Sequence, residues 1–300
     1  MSERVRGAAL VVVSAAAFGS MAVFGVWAHE DGTDTLPLIF VRFALASVVL
    51  LAVARVRRVP VPPVRRWWPV AAMGGIGYVG QATCFFLALE HAQASLVALL
   101  LYLFPAFVTV LAVVVLHERL HVVTVLTLVL SLTGTALVVG GGSGRALGIT
   151  LAIAAAVIYS IYIVVGSVVT VGLDAIIVTT IICCSATFVT GALTLCAALA
   201  DRPQSFPDGL VGWGSLVAIA VICTVGAILT FFAGLALLGP TATSVLSTVE
   251  PVVTVALATL LLDERLGGVQ LLGGLLVLSA VIWLALSQQK PVASLETPPV

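Results

Sequence analysis

Two ionisable side chains, Arg42 and Glu250, stand within long apolar runs, LIFVRFALASVVL and VLSTVEPVVTVAL. Such runs are candidates for crossing a bilayer, where an ionisable side chain costs about 3 kcal/mol on insertion scales and is a functional candidate by default. We expect Glu250 either to take up a proton or to meet a substrate ammonium group. The alternative is a neutral, hydrogen-bonded carboxyl group that only holds helices together. For Arg42 we expect a structural or coupling role: it would pair with a carboxylate or helix carbonyls, or snorkel to the outer interface.

A proline directly follows Glu250 and another occurs at Pro105 in an earlier run. Proline has no N–H group, so a helix containing Pro251 leaves the carbonyl of Ser247 without its usual partner, and Pro105 does the same for Leu101. Freed carbonyls are tolerated in a membrane where they line a cavity. The two prolines are therefore candidates for bends that gate transport. Static kinks that only shape packing are an equally supported alternative.

Polar and aromatic side chains complete the candidate site. Tyr78, Gln81 and Phe85 are spaced i, i+3 and i+7, which places them on one helical face. The residues predicted to contact a substrate share a hydroxyl, amide, carboxyl or aromatic group: Ser20, Tyr78, Gln81, Phe85, Tyr102, Tyr159, Tyr162, Thr224, Thr248 and Glu250. Packing is the alternative for each of them, since Ser and Thr commonly bond neighbouring helices and Tyr packs at interfaces.

Residues 117–121 (HERLH) match H-E-x-x-H, in which two His hold zinc and the Glu acts as a general base. A membrane metalloprotease is thus the alternative from another class of protein. The same Glu-Arg-Leu recurs at residues 264–266 without either flanking His, and the motif falls at the end of an apolar run. We therefore expect neither an enzyme nor a metal site.

Residues 75–80 (GIGYVG) match G-x-G-x-x-G, the phosphate-binding turn of dinucleotide-binding folds. That turn needs a preceding strand and a helix N-terminus in water, whereas these glycines lie inside an apolar run. Close helix packing explains them better, so no nucleotide cofactor is expected.

The composition requires a bilayer. Of the 300 residues, 61% are hydrophobic and only 9% are charged, with a mean hydropathy of +1.26, whereas about a quarter of the residues in soluble domains are charged. The formal net charge of zero gives no reason to expect a nucleic-acid partner. The five cysteines fall in apolar runs without metal-ligand spacing, so they are expected to be small core residues.

Ten apolar runs approach the ~20 residues that a spanning helix needs, and they predict an all-α membrane protein with ten transmembrane helices. Their bounds are 7–28, 36–54, 68–89, 94–116, 122–140, 147–167, 175–200, 213–237, 241–262 and 268–286. The first run follows Arg4 and Arg6 and could pass for a signal peptide. It continues to Trp27, which is too long for one, so an uncleaved helix is predicted.

The distribution of Lys and Arg predicts the orientation in the membrane. With the N-terminus in the cytoplasm, the inner segments hold nine of these residues and the outer segments three, while Arg42 lies within a span. The Arg- and Pro-rich stretch 56–67 is then a cytoplasmic loop that meets anionic lipid head groups. Both termini are expected in the cytoplasm.

The sequence contains an internal duplication. Residues 231–266 repeat residues 85–120 after a shift of 146 positions, with 11 of 36 residues identical. The shift relates Tyr78 to Thr224. It predicts a first five-helix repeat over 1–143, a second over 144–290, and a disordered tail over 291–300. Because five spans per half is an odd number, the second repeat must be inverted, which is a transporter architecture.

These features resemble the EamA-type transporters of the drug/metabolite transporter superfamily. The resemblance rests on the ten spans, the duplication, the Glu-Arg-Leu that ends spans four and nine, Phe18-Gly19-Ser20, and Arg42-Phe43. Within that group the chain is similar to bacterial exporters of amino acids, including aromatic ones. Arg42 has no basic counterpart in the second half, and Phe104 corresponds to Glu250, so a site symmetric between the halves is not expected.

The resemblance implies a multi-pass protein of the bacterial inner membrane that exports amino acids or related small metabolites by alternating access. Since Arg42 is the only intramembrane cation, phosphorylated substrates are disfavoured, and neutral or zwitterionic substrates fit better. Drugs or other metabolites, such as cationic compounds, nucleosides and sugars, are the alternative. A monomer and a dimer are both left open, as is proton coupling.

Overall fold

The computed structural model describes residues 3–104, 106–108, 110–111, 122–141, 144–202, 204–238, 246–247 and 249–287. Its regular elements are helices: α1 (Glu3–Gly19), α2 (Met21–Glu30), α3 (Thr35–Val56), α4 (Val64–Ala72), a first π segment (Met73–Tyr78), α5 (Val79–Leu89), α6 (Ala94–Leu101), α7 (Val122–Gly141), α8 (Ala146–Val169), α9 (Ala175–Leu199), α10 (Leu210–Ala220), a second π segment (Val221–Gly226), α11 (Ala227–Leu238), α12 (Val249–Leu261) and α13 (Gly268–Ser287).

Six helical stretches within the described residues are long and apolar enough to cross a membrane: Glu3–Glu30, Thr35–Val56, Val64–Leu89, Ala146–Gly166, Ala175–Leu199 and Leu210–Leu235. Four shorter apolar helices fall on the remaining predicted spans: Ala94–Val108, Val125–Val138, Val249–Leu261 and Gly268–Ala280. The all-helical membrane class is therefore confirmed, whereas the full count of ten spans stays a prediction.

Two predicted spans carry a local irregularity. In the first, Ser20 separates α1 from α2 and its hydroxyl donates to the carbonyl of Ala17 at 2.8 Å, while backbone bonds from Ser20 to Ala16 and from Phe24 to Ser20 continue across the junction. In the fourth, α6 ends at Leu101 and the chain turns at Tyr102 and Leu103 before Phe104, which is helical again.

Each half carries a π segment in its third predicted span, a feature that hydropathy does not show. The first precedes α5 and the second precedes α11, which are equivalent elements of the repeat. Gly75, the first glycine of the G-x-G-x-x-G run, packs against Val189 of α9, and its neighbour Gly74 packs against Ile182. A Cβ at Gly77 would lie 3.3 Å from Tyr162, and one at Gly80 would lie 3.9 Å from Ile158. The predicted close helix packing is therefore seen at Gly75 and less tightly at Gly77, but not at Gly80.

Helices of each half pack against helices of the other half. Helix α1 packs on α11, and its repeat equivalent α8 packs on α5. The pairs α3 with α9 and α7 with α13 join equivalent elements to each other. This is the pattern that a pseudo-two-fold axis between two similar halves produces, and it places α3 close to that axis.

Carboxylates tie the two halves together at one end of the bundle, which we call the connector end. There the Asp31 Oδ2 accepts from the N–H groups of Gly209 and Gly212 at 2.8 and 3.1 Å, at the start of α10. Glu264 accepts from the backbone of Ala94 and Ser95 at the start of α6, at 2.6 and 3.0 Å. Backbone N–H groups in the first turn of a helix lack helical partners, so both carboxylates act as caps supplied by the opposite half.

Close contact between α7 and α13 gives a first prediction. A side chain added at Gly273 would place its Cβ 2.5 Å from the carbonyl oxygen of Gly134 and 2.8 Å from the nitrogen of Val138. Overpacking of this kind costs about 1–3 kcal/mol. We expect Gly273→Val to lower the thermal unfolding midpoint in detergent and the monodisperse fraction. The control is Gly214→Val, because no atom lies within 4 Å of a Cβ at that position; equal behaviour of the two variants would contradict the close packing.

Candidate functional site

Arg42 lies on α3 between the two π segments and is only 2% exposed. Its Nη2 donates to the hydroxyl of Tyr78 at 2.9 Å, and its Nε donates to the hydroxyl of Thr224 at 3.0 Å. These two residues occupy equivalent positions of the repeat, one in each π segment. One guanidinium therefore joins the two halves of the molecule at matching points.

A hydrogen bond to the preceding helix orients the Thr224 hydroxyl so that it can accept from Arg42. The Thr224 hydroxyl donates to the carbonyl of Ile219, five residues earlier, at 2.8 Å, which leaves the oxygen lone pairs to accept from the guanidinium. Segments of π-helix are often found at functional sites. In this chain, both described π segments supply a hydroxyl to the same cation.

Aromatic rings surround the guanidinium as well. The Cζ of Arg42 lies 5.1 Å from the ring centre of Phe43, 5.4 Å from that of Tyr78 and 5.8 Å from that of Phe86. Cations within about 6 Å of an aromatic face are attracted to it. Among the described residues, however, no carboxylate forms an ion pair with Arg42. Within the described part of the chain the partners of Arg42 are therefore hydroxyl groups and rings instead of the expected carboxylate or carbonyls, and its burial does not fit the expected snorkelling.

A continuous aromatic cluster extends from Arg42 and contains all four tyrosines of the chain. Ring centres along it are separated by 5.1, 5.6, 6.1, 4.9 and 5.7 Å in the order Phe43, Tyr78, Tyr162, Tyr159, Phe104 and Tyr102. Most of these side chains are partly exposed. We call this set the tyrosine cluster; its members come from α3, the first π segment, the region around α6, and α8.

Glu250 stands at the other end of the tyrosine cluster. The Tyr102 hydroxyl lies 3.1 Å from both the Oε2 of Glu250 and the carbonyl oxygen of Ser247. The Ser247 carbonyl is the one that Pro251 was predicted to free, and it accepts from a side chain. Leu246, Ser247 and the residues from Val249 onward are helical, so Pro251 has helical residues before and after it. The gating bend at Pro251 stays a prediction.

The part of α12 that carries Glu250 lies against the junction between α1 and α2. A Cβ at Gly19 would meet the backbone oxygen of Glu250 at 2.7 Å, and Thr254 donates to the Gly19 carbonyl at 2.9 Å. Ser20, predicted to contact substrate, lies 3.4 Å from the Sγ of Cys223. The missing side chain at Gly19 thus allows α12 to approach closely beside Glu250, and the Gly19 carbonyl is bonded to α12 through Thr254.

Not every predicted site residue joins this arrangement. Phe85 is buried and packs edge-on against Phe86 at 5.4 Å, and Gln81 is also buried on α5. Both belong to the packed interior rather than to the tyrosine cluster. Thr248, Pro105 and the residues of the HERLH run lie outside the described residues. The cysteines are buried or partly buried as expected, except Cys196, which is exposed on α9.

Sequence reasoning missed Phe43, Phe86 and Phe104 as neighbours of the site. Phe43 directly follows Arg42, and Phe104 corresponds to Glu250 in the repeat. One of the three is thus adjacent to a predicted site residue, and another is equivalent to one. Nothing in the sequence pointed to Phe86 over the other phenylalanines. Its contact with Arg42 depends on how α3 packs against α5.

Helices long enough to span a bilayer, two similar halves, and a buried polar site between them define a multi-pass membrane protein of the transporter class. The sequence matches the profile of the EamA-like transporter family over residues 5–140 and 146–286, one match in each half. The chain therefore belongs to this family of membrane transporters for small metabolites, which are not enzymes.

Solved structures share the fold. A protein of known crystal structure is 22% identical and superposes with a TM-score of 0.66 over 94% of this chain and 96% of the other. At this identity the likeness concerns the fold alone. No curated protein matches the sequence.

Proposed function

We propose that this chain exports amino acids or related small neutral or zwitterionic metabolites by alternating access. The observation that carries the proposal is the state of Arg42: it is buried, it joins the two halves through hydroxyl groups, and among the described residues it has no carboxylate partner. A buried cation without a counter-ion costs several kcal/mol. A substrate carboxylate would supply that counter-ion.

Glu250 provides the complementary charge for a zwitterion. It accepts one hydrogen bond from Tyr102 at 3.1 Å and is partly exposed, so it retains lone pairs for a substrate ammonium group. The tyrosine cluster lies between Arg42 and Glu250 and offers aromatic surface to an apolar side chain. This division of roles supports zwitterions over phosphorylated substrates.

Alternating access requires the connector end to open. In the structure, cross-half bonds from Asp31 and Glu264 hold this end together. By the distribution of Lys and Arg, the connector end faces the outside. Export would then require these carboxylates to release the backbone N–H groups that they cap.

The proposal is tested with purified protein in liposomes and matched substrates. We expect phenylalanine to be transported at least about 10-fold faster than phenylalaninamide, which lacks the carboxylate, or N-acetylphenylalanine, which lacks the ammonium group, since 1.4 kcal/mol corresponds to a factor of 10. Leucine and threonine, compared in the same way, extend the test to other side chains. Protein-free liposomes give the background rate.

Faster transport of phenylalaninamide than of phenylalanine would contradict the role of Arg42 and favour cationic compounds, the alternative substrate class. Transport of nucleosides or sugars but of no amino acid would contradict the zwitterion proposal altogether. Neither result would affect the family or the fold.

A further inference from the structure

A polar cavity lies at the connector end, and its lining residues are not members of the tyrosine cluster. Its volume is about 250 Å³, and it is lined by His29, Gly32, Thr33, Asp34 and Glu90. The chain turns back here because Gly32 adopts a φ of +82°, which glycine tolerates without strain. The turn brings the backbone of Thr33 over the end of α2, where its N–H bonds to the carbonyl of Ala28 at 3.0 Å.

Two residues that line this cavity carry a buried polar atom without a partner. The carbonyl oxygen of Thr33 lies 2.9 Å from the Nδ1 of His29. Since a carbonyl can only accept, Nδ1 carries a hydrogen, and the Nε2 of the neutral ring is an acceptor. This Nε2 is buried without a partner, and so is the hydroxyl of Thr33, whose residue is only 3% exposed.

The cavity also holds two carboxylates. Glu90 Oε1 accepts from the Thr35 hydroxyl at 2.6 Å and lies 3.7 Å from the Nδ1 of His29. Asp34 Oδ2 accepts from the N–H of Ser205 at 2.7 Å. In the part of the chain that the structure describes, no Lys or Arg pairs with either group. The cavity is therefore acidic and rich in acceptors.

We propose that this cavity binds a protonated primary amine. An –NH₃⁺ group has three donors, and residues lining the cavity carry three acceptors: the carboxylate of Glu90, the Nε2 of His29 and the hydroxyl of Thr33. Ca²⁺ and Mg²⁺ prefer oxygen ligands throughout, which the imidazole does not provide. Among the described residues, no group of three or more His, Cys, Asp or Glu side chains could hold a metal ion. The amine site does not depend on the proposed substrate of the transporter.

The test is a calorimetric titration of the full-length protein in nanodiscs with n-propylammonium chloride. Tetramethylammonium, which carries the same charge but has no N–H donor, and 1-propanol, which lacks the charge, are the comparison ligands. We expect saturable binding of propylammonium and at least about 10-fold weaker binding of both comparison ligands. Equal affinity for tetramethylammonium, equal displacement by sodium, or no saturable binding to folded protein would overturn the proposal.

Variants locate the site. Glu90→Gln is expected to weaken propylammonium binding at least about 10-fold, and Thr33→Val to weaken it about threefold. Glu30→Gln is the control, because Glu30 is an exposed carboxylate at the end of α2 that does not line the cavity. Size-exclusion profiles establish that each variant is folded. Unchanged binding in both Glu90→Gln and Thr33→Val, or loss of binding in Glu250→Gln, would place the amine elsewhere and overturn the proposal.

Discussion

Replacing Arg42 with Gln is expected to reduce phenylalanine transport at least about 100-fold. A charge-assisted hydrogen bond to a buried carboxylate is worth about 2–5 kcal/mol when one partner is removed, and 2.7 kcal/mol corresponds to a factor of 100. Gln keeps donors for Tyr78 and Thr224 but loses the positive charge. Transport is measured in liposomes with equal amounts of folded protein.

The control for this change lies on the same helix. Arg55 is exposed near the end of α3, so Arg55→Gln should leave the rate unchanged. Arg42→Lys keeps the charge but cannot donate in two fixed directions as a guanidinium does, and we expect an intermediate rate. Phenylalaninamide, which lacks the carboxylate, distinguishes carboxylate binding by Arg42 from a purely structural role. If transport of phenylalaninamide falls as steeply as that of phenylalanine, Arg42 only positions the helices and does not bind a carboxylate.

Replacing Glu250 with Gln is expected to reduce phenylalanine transport at least about 10-fold, because the substrate ammonium loses a charged acceptor in a largely buried site. N-Acetylphenylalanine, which has no ammonium group, should be much less affected. If Glu250 carries a proton instead, Gln acts as a permanently neutral form. Exchange across the membrane would then persist, while its stimulation by a pH gradient would disappear.

Tyr102→Phe tests the same site without altering charge. It removes the hydroxyl that lies 3.1 Å from Glu250 and Ser247 but keeps the ring that packs 5.7 Å from Phe104. Residues in one hydrogen-bond network show non-additive effects, so Tyr102→Phe should have little effect in the Glu250→Gln background. Fully additive losses, or unchanged transport and pH dependence in Glu250→Gln, would argue that Glu250 only holds helices together. Glu30→Gln is again the control.

The sequence alone determined the class of protein, the duplication and several central residues. Hydropathy adds up residue by residue, so long apolar runs identify membrane helices without knowledge of their neighbours. The 146-residue shift between the halves is also contained in the linear sequence, and it relates Tyr78 to Thr224 without knowledge of any contact. Arg42 and Glu250 were found because charge inside an apolar run is costly wherever the helix lies.

Only the tertiary structure decided what these residues contact. Arg42 and Thr224 are 182 positions apart, and their meeting depends on which faces of α3 and the second π segment point toward each other. The π segments were missed because each shifts the backbone bonding by one residue without a change in hydropathy. The caps from Asp31 and Glu264 also reach across the two halves. Such pairings depend on three-dimensional packing. Because the apolar helices have similar compositions, their sequences do not specify which helices and which faces pack together.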